Sequence, residues 1–256
     1  MNQNTSIKIS TVIITFNEEK NIRRCLQSVI DVSDEIIVID SFSTDKTEEI
    51  CKDFNVRFVT RQFEGYSESK NFGISLAKHE YILSVDADEL ISDKLKEDIL
   101  LVKNNPVYDA YYVNRLNNYC GKWIKHCGWY PDRKIRLWKK GLGLWKGTIH
   151  EIVDLTTENI GYLKGDLLHY SYYSISDHLK QIEKFTEIAS EDEAKQGKNA
   201  SIIKILVAPV WKFFKDYIIR LGFLDGYYGY IVCKMSAYAT FIKYVKIRQK
   251  RKNPKS

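Results

Sequence analysis

The chain has 256 residues, 44% hydrophobic and 28% charged, enough apolar material for one sizeable core, or one domain with an appendage, and too little charge imbalance for extended disorder. Five scattered cysteines, an odd number, exclude a disulfide framework and point to a reducing compartment. No run of about 18 uncharged apolar residues offers a spanning helix, and "MNQNTSIKIS" lacks the basic-then-apolar pattern of a signal segment.

In chain order, "KISTVIITF" (8–16) is a β-branched run expected to form a buried strand. Asn17 is expected to cap the next helix, with Glu18 and Glu19 in its first turn. Ile22, Cys25, Leu26 and Val29 then repeat at helical spacing. "EIIVIDS" (35–41) reads as a second strand, and Ser43 or Thr44 as the cap of a helix through "DKTEEICKDF". "VRFVTR" (56–61) is a third strand, "SESKNFGISLAK" (67–78) a helix with Gly73 inside it, and "YILSVDAD" (81–88) a fourth strand. This β-α-β-α-β-α-β order predicts a parallel sheet with helices on both faces. Ligands of such sheets bind beyond the carboxyl ends of the strands, where Asn17 with Glu18 and Glu19, Asp40 with Ser41, and Asp86 with Asp88 all fall.

Between 105 and 170 the pattern changes. "DAYYVNRLNNY" reads as strand, and the Trp-, Gly- and Lys/Arg-rich stretch 121–152 as short strands and loops over a cleft, with one or two tryptophans facing it and the rest in packing. "LLHYSYYS" (167–174) is a further strand and turn. Ser176 is expected to start a polar helix that breaks near Gly197. Pro209 and Gly222 then divide the remainder. The division expected is one domain over 1–200, with halves 1–104 and 105–200, followed by a basic amphipathic helical region over 201–256.

Asp86-Ala87-Asp88 ends the fourth strand. Two carboxylates that close repel and are costly to desolvate, and a hard divalent cation such as Mg²⁺ or Mn²⁺ offsets both penalties. Asp40 at the second strand end could accept from a ribose or base edge, while Asp45 suits a turn. Neither G-x-G-x-x-G nor a P-loop is present, so phosphates must be held by a metal with help from Lys70 or an arginine. Arg133 and Arg136 are candidates to meet an anionic group. Cys120 and Cys127 flank His126, but not at a familiar zinc spacing.

The segments "TVIITFNEEKNIRRCLQSV", "IIVIDSFSTDKT" and "SKNFGISLAKHEYILSVDADE" resemble the family 2 glycosyltransferases. "PDRKIRLWKKG", "GTIHEIV", "LLHYSYYS" and "GFLDGYYGYIV" resemble their bacterial lipopolysaccharide core β-1,4-glucosyltransferase branch. The resemblance implies an α/β fold of the GT-A (Rossmann-like) nucleotide-diphospho-sugar transferase type, with a mostly parallel central sheet and, here, a C-terminal amphipathic helical extension. It implies a nucleotide-sugar donor, a divalent metal and inversion at the sugar carbon; the donor expected is a UDP-sugar, with UDP-glucose favoured and another nucleotide-sugar the alternative. Carried over by position, Thr15, Asn17, Glu18, Asp40, Lys70, Asn71 and Asp86 would meet the nucleotide-sugar, and Arg136, by its charge, is a candidate to join them at the diphosphate. Lys70-Asn71 stands where the family often has Arg-Asn, so a guanidinium fork becomes a point charge. Asp88, with Asp86, would hold the metal, and His169 is a candidate to complete its shell.

Inversion needs one carboxylate to take the acceptor hydroxyl's proton. Glu151 in "TIHEI" is favoured and Asp132 in "YPDRK" is the alternative, since the family's "ED" base motif is not visible. His150 reads as a hydrogen-bonded core residue.

The formal charge of +6 is uneven. Residues 202–256 hold twelve Lys/Arg and two Asp/Glu, a net of +10, so the other 201 residues sum to 6 − 10 = −4. Bulky apolar residues interleaved with lysines, ending in a Lys/Arg cluster, point to an anionic membrane surface and suit a lipid-linked saccharide acceptor. The placement expected is cytoplasmic, peripheral on the inner face of a bacterial cytoplasmic membrane. With no binding motif beside the basic end, no nucleic-acid partner is expected.

Overall fold

The computed structural model describes residues 6–147 and 151–252; His150 and the last residues of the basic tail lie outside them. Two compact units form. One comprises residues up to Arg115 with Asp132–His169; the other comprises Leu116–Pro131 with the chain from Tyr170 onward.

The first unit opens with β1 (Ile9–Thr15), α1 (Ile22–Val29), β2 (Glu35–Asp40), α2 (Thr47–Cys51), β3 (Arg57–Thr60), α3 (Tyr66–Leu76) and β4 (Tyr81–Asp86). β1 pairs in parallel with β2 and with β4, and β2 with β3, so the four predicted strands form one parallel array, β3-β2-β1-β4. β1 is buried along nearly its whole length, as a strand covered on both faces must be. Ile22, Cys25, Leu26 and Val29 of α1 are all fully buried. Gly73 lets α3 lie close on the sheet: a Cβ there would stand 2.4 Å from Val12 Cγ1.

Then follow β5 (Glu89–Ile91) and α4 (Asp93–Asn104), two elements absent from the sequence reading. The signal for α4 is there: Ser92 accepts from Leu95 N–H as N-cap, and Leu95, Ile99 and Val102 form the buried stripe. β6 (Ala110–Tyr119), β7 (Lys122–Ile124), β8 (Asp132–Lys139), β9 (Gly143–Lys146), β10 (Ile152–Leu155) and β11 (Ile160–Tyr172) complete the strands among the described residues. The parallel array continues through antiparallel β8 and β6 to β11 and β5; β9 and β10 pair separately.

The second unit adds α5 (Ile175–Lys195), α6 (Ile202–Phe214), a π-helical turn (Lys215–Ile219), a 3-10 turn (Gly222–Asp225) and α7 (Gly226–Lys252). α5, expected to close the first domain, packs on α7 instead. Among the described residues no helix is long and apolar enough to cross a membrane. All five cysteines are free.

Several expected caps are corrected. Asn17 sits at φ 54° and its Oδ1 accepts from Thr44 N–H, so it ties the β1 and β2 loops together; α1 starts only at Ile22, with no acid in its first turn. Ser43 serves Asp40 and Thr44 serves Asn17, so neither caps α2. Ser174, not Ser176, caps α5 by accepting from Asp177 N–H. Pro209 lies inside α6, where its ring removes one backbone donor without ending the helix.

Candidate active site

Every side chain of this site belongs to the first unit. Beyond the carboxyl end of β4, Asp86 is set between two cations. Its Oδ1 lies 3.0 Å from Lys70 Nζ on α3, and its Oδ2 3.1 Å from Arg136 Nη2 on β8. Lys70 also reaches Glu151 Oε2 at 2.9 Å. Arg136 reaches Glu89 Oε1 at 2.6 Å. Glu89 is 0% exposed, and its Oε2 accepts from Asp86 N–H at 3.0 Å. Arg115 follows, 3.7 Å from Glu89 and 2.9 Å from Asp132 Oδ2. The result is an alternating chain of acids and bases from Glu151 to Asp132. The Trp145 ring lies 4.1 Å from Lys70 Nζ and 5.3 Å from the Arg136 guanidinium, so it faces both cations.

The electrostatics follow from this alternation. Burial by itself would raise the Asp86 carboxyl, but Lys70 and then Arg136 outweigh it and hold the group well below the usual carboxylate range. Burial would lower Arg136; Glu89 and Asp86 overcome that and raise it.

Asp88 is separate from this chain. Its Oδ2 lies 3.1 Å from His169 Nε2, across 81 positions of sequence. The cause is strand pairing: β5 runs antiparallel to β11 with His169 opposite Glu89, which brings the ring to Asp88. Burial would lower His169, and the Asp88 charge outweighs it and raises it. Burial pushes Glu18 up to about 7, opposed by the hydrogen bond from Asn21 and reinforced by the charges of Asp88 and Asp45.

Among the described residues no three His, Cys, Asp or Glu side chains are spaced to hold a metal alone. Mn²⁺ or Mg²⁺ bound with a phosphate substrate keeps waters and phosphate oxygens as most of its shell and asks one or two side chains of the protein. Asp88 and His169 fit that demand. Asp86, expected to share the metal, has both oxygens against cations instead.

The other expected residues divide. Thr15 ends β1 with its Oγ1 buried and without a hydrogen-bond partner. Asp40 lies opposite it in register, but its two oxygens accept from Ser43 N–H and Ser43 Oγ–H, so it fixes the loop after β2. Asp45 accepts from Thr47 and Glu19, the turn role expected of it. The Asn71 amide is spent on both backbone groups of Trp145, at 2.9 Å each; it positions that ring. Arg133 and Arg136 part company, because residues three apart on a strand face opposite ways: Arg133 is exposed over the Tyr162 ring. Glu89 and Arg115 were missed. Glu89 directly follows Asp86-x-Asp88 and reads as a solubilising charge until β5 folds it inward.

Residues 10–163 match the profile of glycosyl transferase family 2. The chain belongs to that family. This family 2 glycosyltransferase is 32% identical to an uncharacterized glycosyltransferase of Rickettsia typhi, over 94% of this chain and 87% of the relative. It is 24% identical to the lipopolysaccharide core biosynthesis glycosyltransferase LpsC of Rhizobium meliloti, over 95% and 93% of the two chains. In fold it is similar to the mannosyltransferase PcManGT of Pyrobaculum calidifontis, solved with GDP-Man and Mn²⁺, at a TM-score of 0.54 with 14% identity, covering 98% of this chain and 88% of that one. The GT-A type α/β fold expected from the sequence, parallel array and terminal helices included, is the fold of this transferase.

Proposed function

We propose that this family 2 enzyme is an inverting hexosyltransferase that moves glucose from UDP-glucose to a lipid-linked bacterial saccharide of the lipopolysaccharide core. It would work at the inner face of the cytoplasmic membrane. The observation that carries the donor reading is the Asp88–His169 pair beside an Asp86 flanked by Lys70 and Arg136. A diphosphate needs cations and a metal at one strand edge, and these residues are what such a group requires. Arg136 Nε and Nη1 and Trp145 Nε1 are buried without hydrogen-bond partners, donors that diphosphate or sugar oxygens could satisfy. The likeness to LpsC over nearly the whole chain supports the lipopolysaccharide acceptor.

In this reading the acceptor oxygen attacks the sugar's anomeric carbon as the bond to the diphosphate breaks. The acceptor proton passes to a carboxylate and the bonding electrons leave with the diphosphate. Glu151 is the favoured base: it contacts Lys70, at the Asp86 edge, through Oε2. Asp132 is less suited, with one oxygen on Arg115 and the other on Lys134. Lys70 and Arg136 orient Asp86 and the diphosphate. A divalent ion held by Asp88 and His169 would supply neutralisation of the leaving group's charge.

Calorimetric titration with UDP, GDP and their sugars, with and without Mn²⁺, tests the donor. Metal-dependent UDP binding is expected. Binding of GDP alone would move the enzyme to another sugar and another cell-surface glycan, a direction the GDP-Man complex of PcManGT makes worth including. No nucleotide binding by folded protein would remove the donor assignment. A Mg²⁺-dependent phosphatase is disfavoured by family membership and by a first strand that ends in Thr15-Phe16-Asn17.

A further inference from the structure

The membrane reading rested on the bulky apolar residues of 202–256 interleaved with lysines and on the Lys/Arg cluster that ends them. Within the second unit five of those cations, Lys243, Lys246, Arg248, Lys250 and Arg251, are already engaged. Lys246 lies 2.8 Å from Glu183 and 3.0 Å from Glu187, and Lys250 2.6 Å from Glu187 and 3.2 Å from Glu191. Lys243 reaches Glu193 at 3.0 Å. Glu183, Glu187 and Glu191 recur every four residues on α5, as Lys246 and Lys250 do on α7, so two helical stripes meet. Arg248 and Arg251 donate to the carbonyls of Ala200 and Gly197, beyond the end of α5. These cations hold the helices together.

α6 is the reverse case. Ile203, Leu206, Val207, Val210, Trp211 and Phe214 follow the i, i+3, i+4, i+7, i+8, i+11 spacing of an apolar helix stripe. In a helix of a soluble domain that stripe faces the core. Here Ile203 is 73% exposed, Leu206 62%, Val207 57% and Val210 70%, while α6 buries only Ile205, against Ile247 and Ala200. Trp211 and Phe214 stack at 5.8 Å on the same exposed stretch. Leu221, Phe223, Leu224 and Tyr227 continue the exposed apolar run through the turn into α7.

We propose that the outward stripe of α6, with the turn after it, is the element that this protein inserts into an anionic lipid surface, lying in the plane of the headgroup–acyl boundary. The inference rests on the membrane reading above and changes which residues carry it. The length fits: 13 residues span about 20 Å, too short to cross a bilayer core of about 30 Å. Residue types fit too, with branched aliphatics for the acyl boundary and Trp and Tyr for the headgroup level. Charge selects lipid over a second copy of the chain. Residues 202–224 hold four Lys/Arg and one Asp, a net of +3. That Asp216 is buried and paired with Lys212 and Arg220. The exposed face is thus apolar and cationic with no exposed acid, which attracts anionic headgroups and repels its own copy.

The test is co-sedimentation of the full chain, without nucleotide, with vesicles of phosphatidylglycerol and phosphatidylethanolamine. Leu206→Gln combined with Val210→Gln should lower partitioning tenfold or more. Lys250→Gln combined with Arg251→Gln should leave it within twofold. Undiminished partitioning of the α6 variant overturns the proposal, as does a wild-type chain that ignores the vesicles. In the latter case, a wild-type dimer that the α6 variant converts to monomer would assign the face to a second copy. Metal-dependent UDP binding, measured separately on both variants, is expected to be unchanged. Its absence in all three proteins would remove the donor reading and leave the vesicle result standing.

Discussion

Glu89 and Arg136 beside β4 are withdrawn from solvent almost completely, whereas Ile203 and Val210 on α6 stand largely in it. Both regions depart from the ordinary distribution of polar and apolar groups, and buried charge and exposed hydrocarbon are the two departures that carry information. The charged cluster has its compensation inside the fold: each buried charge faces an opposite one, because an unpaired charge in a dry site costs several kcal/mol. The α6 stripe has none among the described residues of its own unit. Where the partner is internal, removing a residue should cost stability; where it is external, removing a residue should cost only binding.

The largest effect expected is therefore at Glu89. Glu89→Gln leaves Arg136 with one carboxylate fewer in a buried place and should lower unfolding free energy by about 3–5 kcal/mol in urea. A loss under about 1 kcal/mol would mean that the alternating charges are not what steadies the edge of β4. Next is Asp88→Asn, which should reduce turnover by about 100-fold or more and abolish Mn²⁺-dependent UDP binding, with the circular dichroism unchanged; wild-type behaviour would take Asp88 out of the metal shell.

His178 sharpens the comparison within the second unit. It is buried against Tyr119, Tyr172 and Trp129, its Nδ1 sharing a 3.1 Å hydrogen bond with the Tyr119 hydroxyl. Burial pushes it down to about 4 from 6.5. The folded state thus binds the proton less readily than the unfolded state. The stability this contributes is complete above about pH 6.5 and is lost as pH falls toward 4, by up to about 3 kcal/mol. His178→Gln should flatten that slope in unfolding measured from pH 7 to 4.5; an unchanged slope would assign it to carboxylates.

Smaller still, Lys246→Gln should cost about 0.5–1 kcal/mol, as part of a two-helix ion network at the surface, read as a shift in thermal midpoint. The smallest is the α6 pair, Leu206→Gln with Val210→Gln, which should move stability by no more than about 0.5 kcal/mol. A loss of several kcal/mol there would show that the stripe is packed in solution and erase the contrast.

Local pattern was enough for the parallel half. Alternating β-branched runs and helical stripes placed β1 to β4 and α1 to α3 within a few residues, with Asp86 at the end of β4, Asp88 just past it and Lys70 inside α3. Caps were less legible. Ser, Thr and Asn can serve their own helix or a neighbouring loop, and Asn17, Ser43 and Thr44 chose the loop across β1 and β2.

By itself, then, the sequence determined which strand ends carry carboxylates, the family and the amphipathic character of the tail, since these depend on residue type and short spacing. Tertiary structure decided which partners those residues have. It brought His169 to Asp88 through the β5–β11 register, turned Glu89 from a surface charge into the buried partner of Arg136, and spent Asn71 on Trp145. It also paired Lys243, Lys246 and Lys250 of α7 with acids of α5 and left the outward stripe of α6 uncovered. The reason is physical: an ion pair or a packed face is set by distance in space, and contacts between residues some 50 to 80 positions apart leave no trace in a local pattern.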